Sequence, residues 1–549
     1  MTVLRIVLAF ALAWVVAGCD TGSATPPKPK DGDTSPKKDA PPAQEALQSP
    51  KDRIEYAKRL LEEAGYPGGR GFPKLEILYN TDEGHKKIAA AIQFMWKKNL
   101  GIEVELRNSE WKIYLDDLSK LRFQIARRGW IGDYRDPNTF IDMFTSTSGN
   151  NNCGWKNDEY DKLVKDAAAE PDAKKRIDLL LRAEKILMTE LPIMPIYFYV
   201  SSNCWTDRVK GVWPNIQDVH PLNEVTIEGK DTLIINNGTE IQTLDPGLAR
   251  GVPEDRIMTT MFEGLTIRDP KTLDPKPGVA EKWEISPDGK KYTFHLRDCE
   301  WSDGKKVTAH DYAYAWVRVL DPNTPTDYAS QMYYLKGGEA FNQKKTNDPS
   351  TVGVRAKDDK TLEVELENPC TYFLDLCAFF TYYPVRKDLV DKHGTNWTRP
   401  ENIAVNGPFK LKEWKANESL TVERNPKYWN AAVVRLRYAT FLPLENRLTA
   451  WGLYKDGKCD WVTSLPLEQI EEIIRRPDYR GDTYLGTYFY GFNVTDGALK
   501  DRRVRKALCL AIDRETIVTK ITKQGQKPAY WYTPPIWPEV TSPRFDVKD

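Results

Sequence analysis

Residues 75–106 read LEILYNTDEGHKKIAAAIQFMWKKNLGIEVEL and carry the clearest fold-class signal in the chain. Residues 75–79 form a short apolar run of the kind that makes a buried strand. Residues 85–98 have apolar side chains at helical spacing, and Gly101 is typical of the position just after a helix. Residues 102–106 alternate apolar and charged side chains, as a half-buried strand does. A strand, a helix and a strand over this length predict a β-α-β unit with parallel strands.

The same patterns recur on both sides of this unit, so the body of the chain is predicted to be α/β, with mixed sheets in several lobes. Further helices are predicted at residues 52–64, 158–169, 173–189, 309–319, 501–511 and 515–522. Further strands are predicted at residues 123–127, 193–200, 232–236, 292–296 and 361–366.

The chain opens with the features of an export signal. Residues 1–5 carry one positive charge, and residues 6–16 form an apolar run that is too short to span a bilayer. The following Ala17-Gly18-Cys19 resembles a bacterial lipobox, which implies removal of a signal peptide, residues 1–18, and attachment of lipid to Cys19. The alternatives are a plain signal peptide, or a buried apolar strand with a chance cysteine.

Residues 19–50 are rich in Pro, Lys, Asp and Ser and contain almost no large apolar side chain. Such a segment buries too little surface to offset its chain entropy, so a disordered tether is predicted. No later stretch is apolar enough over sufficient length to span a bilayer, and we therefore expect a protein anchored to the membrane by lipid alone.

Charge and composition argue against nucleic acid as a partner, since 79 Lys and Arg balance 79 Asp and Glu. The 17 Trp and 26 Tyr suit either a binding cleft or a large aromatic core. Seven cysteines follow Cys19 at irregular spacing, so one or two disulfides are possible but no pairing is indicated.

No motif indicates catalysis. The chain lacks the glycine-rich phosphate loop, the zinc-binding His-Glu-x-x-His helix and the Gly-x-Ser-x-Gly nucleophile turn. The five histidines are scattered without the spacing of metal ligands. We therefore predict no enzyme, no catalytic residues, no cofactor and no metal site.

Several longer segments resemble, in order, the first part of bacterial oligopeptide-binding proteins, the family 5 extracytoplasmic receptors of peptide ABC importers. Any single segment is weak, but the ordered series is specific. The segments are residues 231–240 (DTLIINNGTE), 244–246 (LDP), 262–265 (FEGL), 278–283 (GVAEKW), 301–304 (WSDG), 406–409 (NGPF), 425–429 (NPKYW), 501–508 (DRRVRKAL) and 532–535 (YTPP).

The remaining part of the family pattern lies upstream of these segments instead of downstream. Its segments are residues 57–66 (AKRLLEEAGY), 78–81 (LYNT), 110–112 (EWK), 129–134 (GWIGDY) and 195–200 (PIYFYV). This order predicts a circular permutation in which residues 219–230 join the family's usual termini. Such a change is tolerated when the old termini are close and the new cut falls in an exposed loop. The alternative is a rearranged chain that no longer folds.

The resemblance implies a two-lobe periplasmic-binding-protein-like clamshell of type II, with an additional third domain. One lobe combines residues 51–199 with 487–549, and the second combines residues 201–254 with 401–485. Residues 255–400 form the extra domain within the second lobe. Strands crossing near Val200 and Gly486 form the hinge, and a peptide is engulfed between the lobes on closure.

The resemblance also implies the ligand-binding residues. Asp133 anchors the peptide ammonium, because a buried charge needs a fixed partner. Arg127, or less favourably Arg128, meets the peptide carboxylate. The other predicted ligand-binding residues are Trp130, Gly132, Trp111, His85, Tyr199 and, on the opposing lobe, Glu240 and Ile241. For several of these a structural role is the alternative: a turn aspartate before Pro137, a surface arginine, a structural histidine or a core tryptophan.

This chain departs from the family near the hinge. Where the family commonly has a pair of cysteines, this chain has Ile131 and Gly486. Another departure is Gly491, where the family has an acidic residue, and it weakens any inference about peptide length. The predicted function is a monomeric, extracytoplasmic, lipid-anchored receptor that delivers short peptides to a permease and ATPase complex. The alternatives are a peptide-sensing receptor without transport and a binder of a non-peptide solute.

Overall fold

The computed structural model describes residues 49–547. The strands are β1 (Leu75–Asn80), β2 (Val104–Ser109), β3 (Ile125–Ile131), β4 (Ile193–Trp205), β5 (Val209–Lys210), β6 (Thr226–Ile227), β7 (Thr232–Asn236), β8 (Thr266–Arg268), β9 (Pro275–Pro277), β10 (Ala280–Ile285), β11 (Lys291–Leu296), β12 (Val354–Asp358), β13 (Thr361–Glu365), β14 (Phe409–Lys415), β15 (Ser419–Arg424), β16 (Tyr438–Leu442), β17 (Trp461–Val462), β18 (Tyr479–Phe492) and β19 (Lys527–Pro528).

The α-helices are α1 (Pro50–Glu63), α2 (Glu83–Leu100), α3 (Trp111–Ser119), α4 (Asn138–Ile141), α5 (Asp158–Ala169), α6 (Ala173–Glu190), α7 (Val252–Met261), α8 (Ala309–Leu320), α9 (Gly338–Asn342), α10 (Phe373–Leu376), α11 (Lys387–His393), α12 (Arg447–Lys455), α13 (Ile470–Ile473), α14 (Arg502–Leu510) and α15 (Arg514–Thr516). A π-helical segment, Ile517–Thr522, continues α15.

The predicted β-α-β unit is confirmed, with β1 and β2 parallel and Leu75 opposite Val104. The Asp82 side chain caps α2 by accepting a 3.0 Å hydrogen bond from the backbone N–H of His85. Gly101 ends the helix in the left-handed conformation, at φ 72°. The N–H of Ile102 still bonds to the carbonyl of Trp96 at 3.3 Å, which explains why β2 starts later than the sequence pattern predicts.

One mixed sheet runs through the described part of the chain in the order β14-β15-β16-β7-β17-β4-β18-β3-β1-β2, with β19 paired to β4. The parallel group β2, β1 and β3 forms one end of this sheet, and the strands from β14 to β17 with β7 form the other. The long strands β4 and β18 lie between the two groups and pair antiparallel with each other. The two halves of the sheet are therefore joined through these two strands.

The pairing of β18 with β4 is irregular between Thr483 and Thr487. Gly486 lies in this interval, directly opposite Ile131 of β3. A Cβ atom at Gly486 would meet Cδ1 of Ile131 at 2.4 Å, so the isoleucine fills the space that a larger residue would need. The predicted hinge near Val200 and Gly486 falls on these strands and stays a prediction.

A second antiparallel sheet, β10-β11-β13-β12, lies within residues 255–400. Helix α8 packs on it and begins with a capping box formed by Thr308 and Asp311. The rings of Trp316 and Tyr382 meet edge to face, with centroids 5.0 Å apart, in the buried interior of this region. This region therefore has an aromatic core, which accounts for part of the aromatic content of the chain.

The first and last described segments lie side by side. Arg53 in α1 approaches Asp546 with 3.9 Å between Nη1 and Oδ2, and both side chains are buried. Helix α1 also packs along α14, and Arg503 donates a 2.9 Å hydrogen bond to the backbone carbonyl of Glu63. The start of the folded body thus packs against the segment that the family pattern places before it.

The predicted α/β class is confirmed, and the predicted helices and strands are present with shifts at their ends. The seven cysteines of the described residues are buried and unpaired, so none of the possible disulfides forms among them. Within residues 49–547, no helix combines the length and apolarity needed to cross a bilayer. The predicted signal peptide, Cys19 and nearly all of the predicted tether lie outside the described residues.

Candidate ligand-binding cleft

A cavity of about 300 Å³ lies beside the parallel end of the sheet. One wall is formed by residues 127–133, at the end of β3, together with Trp111 and neighbouring residues of α3. The facing wall is formed by residues 250–253, 255, 256 and 259, at the start of α7. The rest of the lining comes from distant parts of the chain: Asn150, Tyr199, residues 217–220, Arg268, Tyr328, Phe379 and Phe380.

Local hydrogen bonds fix the turn that follows β3. The Trp130 indole N–H donates to the backbone carbonyl of Thr139 at 2.7 Å, and the Asp133 N–H donates to the Thr139 hydroxyl at 3.0 Å. The N–H of Gly132 donates to the carbonyl of Leu485 at 2.8 Å. A Cβ atom at Gly132 would meet the Leu485 side chain at 2.8 Å, so glycine permits this close approach. The backbone of residues 130–133 is consequently held rigidly at the cavity wall.

Asp133 is buried at 7% exposure and lines the cavity. Its Oδ2 accepts a hydrogen bond from the Nε2 amide of Gln331, but no cation of the described residues forms an ion pair with it. Burial, and then the neighbouring Asp142, raises the pKa of the Asp133 carboxyl well above its usual range. The cavity thus holds a buried carboxyl group whose ionised form is disfavoured, and a bound ammonium would stabilise that ionised form.

Arg127 also faces the cavity and has neutral partners only. It donates hydrogen bonds to the Tyr199 hydroxyl at 2.7 Å and to the Asn80 side-chain oxygen at 3.3 Å. Its guanidinium lies 4.7 Å from the ring centroid of Tyr488. Its buried Nε has no hydrogen-bond partner among the described residues. The guanidinium is therefore oriented by neutral groups and free to pair with an anionic ligand group.

Arg128 has other partners than Arg127. It is 5% exposed and donates a hydrogen bond to the backbone carbonyl of Asn150 at 2.9 Å, and its Cζ atom lies 5.4 Å from the ring centroid of Phe489. Trp111 is half-buried and donates from its indole N–H to Oε1 of Glu254 at 3.3 Å. This bond joins the α3 wall to the α7 wall, so Trp111 closes one side of the cavity.

Three predicted site residues do not line this cavity. His85 lies behind it, with Nδ1 3.3 Å from the Tyr488 hydroxyl, and burial together with the nearby Arg127 lowers the pKa of His85 well below its usual range. The Glu240 carboxylate accepts hydrogen bonds from Trp414 at 2.8 Å and from the Asn417 N–H at 2.6 Å. Ile241 is buried in the core at 6% exposure. The structure thus brings together Asp133, Arg127, Arg128, Trp130, Gly132, Trp111 and Tyr199.

Sequence reasoning missed most of the facing wall. Arg250, Asp255, Arg256 and Arg268 line the cavity, although they lie far from β3 in the sequence. The local signal was the Gly-Val-Pro sequence at residues 251–253, because proline in the first turn marks a helix start. That signal locates α7 but does not show what the helix faces.

Comparison with known proteins gives one matching family description, "Bacterial extracellular solute-binding proteins, family 5 Middle", over residues 16–152 and 274–548. The periplasmic oligopeptide-binding protein OppA of Salmonella typhimurium is 44% identical over 316 residues, which are 57% of this chain and 58% of that protein. The oligopeptide-binding protein OppA of Bacillus subtilis is 39% identical over 314 residues, or 56% of this chain and 57% of that protein.

Solved structures agree with these sequence matches. The structure of Haemophilus influenzae OppA in complex with the peptide RPPGFSPFR aligns with a TM-score of 0.54 and 33% identity, covering 59% of this chain and 64% of that one. Burkholderia pseudomallei OppA aligns with a TM-score of 0.53 and 37% identity, covering 56% and 61%. In each of these comparisons the chain spans less than two thirds of the length of the relative.

Proposed function

The chain belongs to the bacterial extracellular solute-binding proteins of family 5, and on this premise we propose that it captures short peptides for an ABC importer. The family and its OppA relatives make it an extracytoplasmic binding protein, and the large mixed sheet fits the type II clamshell fold of its structural neighbours. The proposed partners are short peptides and a permease and ATPase complex, and the proposed state in solution is a monomer.

The observation that carries the proposal is that Asp133 and Arg127 line the same cavity. Arg127 lies within β3 and Asp133 lies two residues beyond its end. Because a strand rises about 3.3 Å per residue, Arg127 and Ile131 alone are separated by roughly 13 Å along β3. Asp133 would therefore pair with the ammonium of an extended peptide, and Arg127 with a carboxylate several residues away.

The side walls suit a ligand whose side chains vary. Trp130 and Tyr328 are stacked with ring centroids 6.4 Å apart, and Trp111 forms another aromatic surface. Aromatic surfaces tolerate different side chains, since they offer area without demanding one hydrogen-bonding pattern. Water-filled space beside them would accommodate polar side chains. At these aromatic surfaces, the proposed receptor therefore accepts peptides with different side chains.

We propose the two lobes at the boundaries expected from the resemblance, residues 51–199 with 487–549 and residues 201–254 with 401–485, with residues 255–400 as the extra domain. The arrangement of the central sheet supports this division, because β4 and β18 lie between its two halves. A peptide would enter while the lobes are apart and be enclosed when they rotate about these strands. His85 is assigned to the wall behind the ligand, since it lies beyond the cavity lining.

We further propose that the chain is a circular permutant. The order of the family segments supports this, as do the two separate matches of the family model on either side of residues 153–273. The approach of Arg53 to Asp546 supports it as well, because a short connection would suffice between these segments. An alignment that keeps residue order can cover only one part of such a chain, in keeping with the matched share of 57%.

The decisive experiment is thermal unfolding of the full chain with trialanine and tetraalanine, and with the N-acetylated forms of the same peptides. A ligand at 100 times its Kd should add about 2.7 kcal/mol of stability, which is a visible rise in Tm. We expect the free-amine peptides to raise Tm and the acetylated peptides to do so much less. A cooperative transition that no peptide shifts would contradict peptide binding and direct the search to non-peptide solutes.

The permutation has its own test. A variant that joins residue 547 to residue 49 through a short glycine-rich linker, and opens between residues 219 and 230, would restore the usual family order. We expect it to unfold cooperatively and to bind the same peptides. Failure of this variant to fold, while the natural order folds, would contradict the proposed equivalence of the two orders.

Lipid attachment at Cys19 is proposed from the sequence and is tested by metabolic labelling with a radioactive fatty acid. The wild-type chain should carry label and sediment with membranes, and the Cys19→Ala variant should carry none. Equal labelling of the two proteins would exclude Cys19 as the attachment site.

Growth on a peptide as sole amino-acid source, with and without this gene, separates transport from sensing.

A further inference from the structure

The cavity contains an unusual number of arginines without an acidic partner. Arg127, Arg128, Arg256 and Arg268 all line it, and none of them has a carboxylate oxygen within 4.0 Å among residues 49–547. Arg128 and Arg268 are buried, at 5% and 6% exposure, and the other two are half-buried. Guanidinium groups remain charged at any physiological pH, so the wall holds four positive charges that the protein itself does not pair.

The partners that these arginines do have are neutral. Arg256 donates to the side-chain oxygen of Asn237 at 2.8 Å, and Arg268 donates to the backbone carbonyl of Asp133 at 2.9 Å. Several of their N–H groups have no acceptor at all among the described residues, namely Nε of Arg127, Nη1 of Arg128 and Nε of Arg268. Buried donors without acceptors are costly, so the protein itself satisfies these guanidinium groups only in part.

The charge balance of the whole lining points the same way. Five arginines line the cavity, including Arg250, against the three aspartates Asp133, Asp218 and Asp255. Arg250 pairs with Asp327, outside the lining. A peptide without charged side chains carries one ammonium and one carboxylate, so it leaves the surplus of positive charge unchanged. Burying uncompensated charge costs free energy, and a ligand with additional negative charge would reduce that cost.

We propose that the cleft selects peptides carrying at least one acidic side chain, and that Arg256 and Arg268 are the residues that determine this specificity. The inference rests on the proposed function and deepens it. Asp133 and Arg127 already receive the peptide termini, whereas Arg256 and Arg268 belong to the facing wall and the extra domain. A glutamate or aspartate side chain between them would accept bidentate, charge-assisted hydrogen bonds that an amide cannot replace.

Asp255 is the strongest counter-argument, because it lies in the same wall and forms no ion pair with a described cation. Together with Asp133 it could attract a basic side chain. Asp255 supplies one carboxylate, however, whereas Arg256 and Arg268 supply two guanidinium groups to the same lining, and both keep their charge at physiological pH. The lining accordingly favours an acidic over a basic peptide.

The experiment is calorimetric titration of the full chain with tripeptides of alanine in which one position is varied. Glutamate, its isosteric amide glutamine, and lysine are placed in turn at the first, second and third positions. At one position or more we expect the glutamate peptide to bind at least tenfold more tightly than the glutamine peptide, with lysine the weakest. Equal binding of glutamate and glutamine peptides at all positions, or tightest binding of a lysine peptide, would overturn the inference.

The proposed function and this inference fail differently. If none of the peptides binds, the peptide receptor itself is contradicted, and this inference falls with it. If neutral peptides bind but glutamate gives no advantage, the receptor stands and only the specificity is wrong. Titrations of the wild-type chain therefore distinguish the two failures: the first shows no binding at all, and the second shows equal affinity for the glutamate and glutamine peptides.

Variants then assign the residues. Arg256→Gln and Arg268→Gln should each bring the ratio of glutamate to glutamine affinity closer to one, and the double variant should remove the preference. Arg475→Gln is the matched control, since Arg475 is exposed on the surface and should leave the ratio unchanged. Arg268→Lys keeps the positive charge but loses the paired N–H donors of the guanidinium. It replaces Arg268→Gln in this test if the glutamine variant does not fold. A preference that survives in the double variant would exclude both arginines.

Discussion

Arg447 donates two hydrogen bonds to the carboxylate of Asp82, from Nε to Oδ2 at 2.8 Å and from Nη2 to Oδ1 at 2.9 Å. Asp82 caps α2 beside the parallel end of the sheet, and Arg447 is the first residue of α12 beside the other end. The side chain of Asp82 is 15% exposed and that of Arg447 is 16% exposed. The pair therefore ties the two halves of the sheet together on the side of the cleft where His85 lies.

We expect Arg447→Gln to destabilise the chain, because the variant leaves the Asp82 carboxylate nearly buried without its cation. Removing one partner of a buried pair typically costs about 3 kcal/mol. Urea unfolding should show this loss, and the double variant Asp82→Asn with Arg447→Gln should recover part of it. Lys162→Gln is the control, since Lys162 pairs with Asp166 on the exposed surface of α5 and should cost less than about 1 kcal/mol.

The same pair predicts a pH dependence. Burial acts to raise the pKa of Asp82, but the charge and hydrogen bonds of Arg447 outweigh it and hold that pKa below its usual range. A carboxyl with a depressed pKa stabilises the folded state above its unfolded pKa, about 3.9, and this contribution is lost only as the pH falls further. The difference in stability between wild type and Asp82→Asn should stay constant from pH 5 to 8 and shrink below pH 4. A difference that already shrinks at pH 6 would contradict this assignment.

Asp133→Asn should separate binding from stability. The substitution removes the proposed ammonium partner, so the affinity for free-amine peptides should fall by about 30-fold or more. The empty protein should be as stable as wild type, or more stable, at pH 7, because a buried carboxylate without an ion pair is lost. Calorimetric titration and thermal unfolding measure the two effects. A variant that loses stability but binds peptides normally would assign Asp133 a structural role instead.

Glu254 should make stability depend on pH near neutrality. Burial raises its pKa to about 7, although Oε1 accepts hydrogen bonds from Trp111 and from the N–H of Gln242. A raised pKa means that the carboxyl contributes most to stability below its unfolded value, about 4.3, and that this contribution is lost as the pH rises to about 7. The glutamine side chain in Glu254→Gln has no ionisable group. The Tm of this variant minus the Tm of the wild type should therefore increase between pH 4.5 and 7.5. A pH-independent difference would argue against a raised pKa.

Gly486→Ala should destabilise the protein by about 1–3 kcal/mol, since the new Cβ would lie 2.4 Å from Cδ1 of Ile131 and 2.8 Å from the carbonyl of Trp130. Gly452→Ala is the matched control, because Gly452 lies inside α12 and a Cβ atom there meets nothing within 4 Å. This control should gain up to about 1 kcal/mol from the helix preference of alanine. Thermal unfolding compares them, and equal effects of the two substitutions would refute the packing argument.

Local patterns in the sequence were sufficient for most of the secondary structure. Helix α5 begins and ends at the predicted residues, and β7 matches the prediction as well. Two strands run further than predicted, since β3 was predicted to end at Arg127 but continues to Ile131, and β4 was predicted to end at Val200 but continues to Trp205. Residues 127–131 contain two arginines and a glycine, which make a weak strand signal, and the strand continues because β18 pairs with it along its whole length. That partner lies more than 300 residues away in the chain.

Short segments of the chain carry the periodicities and helix caps from which the α/β class and its elements were predicted. The residues predicted on the β3 side of the cleft came instead from the resemblance to the family. Which residues join Asp133 and Arg127 around the cavity depends on tertiary packing. Arg256 and Arg268 reach the cavity through α7 and β8, and their lack of acidic partners is a property of three-dimensional distances. A charge is paired or unpaired according to what lies within a few ångströms of it, and sequence separation does not report that distance.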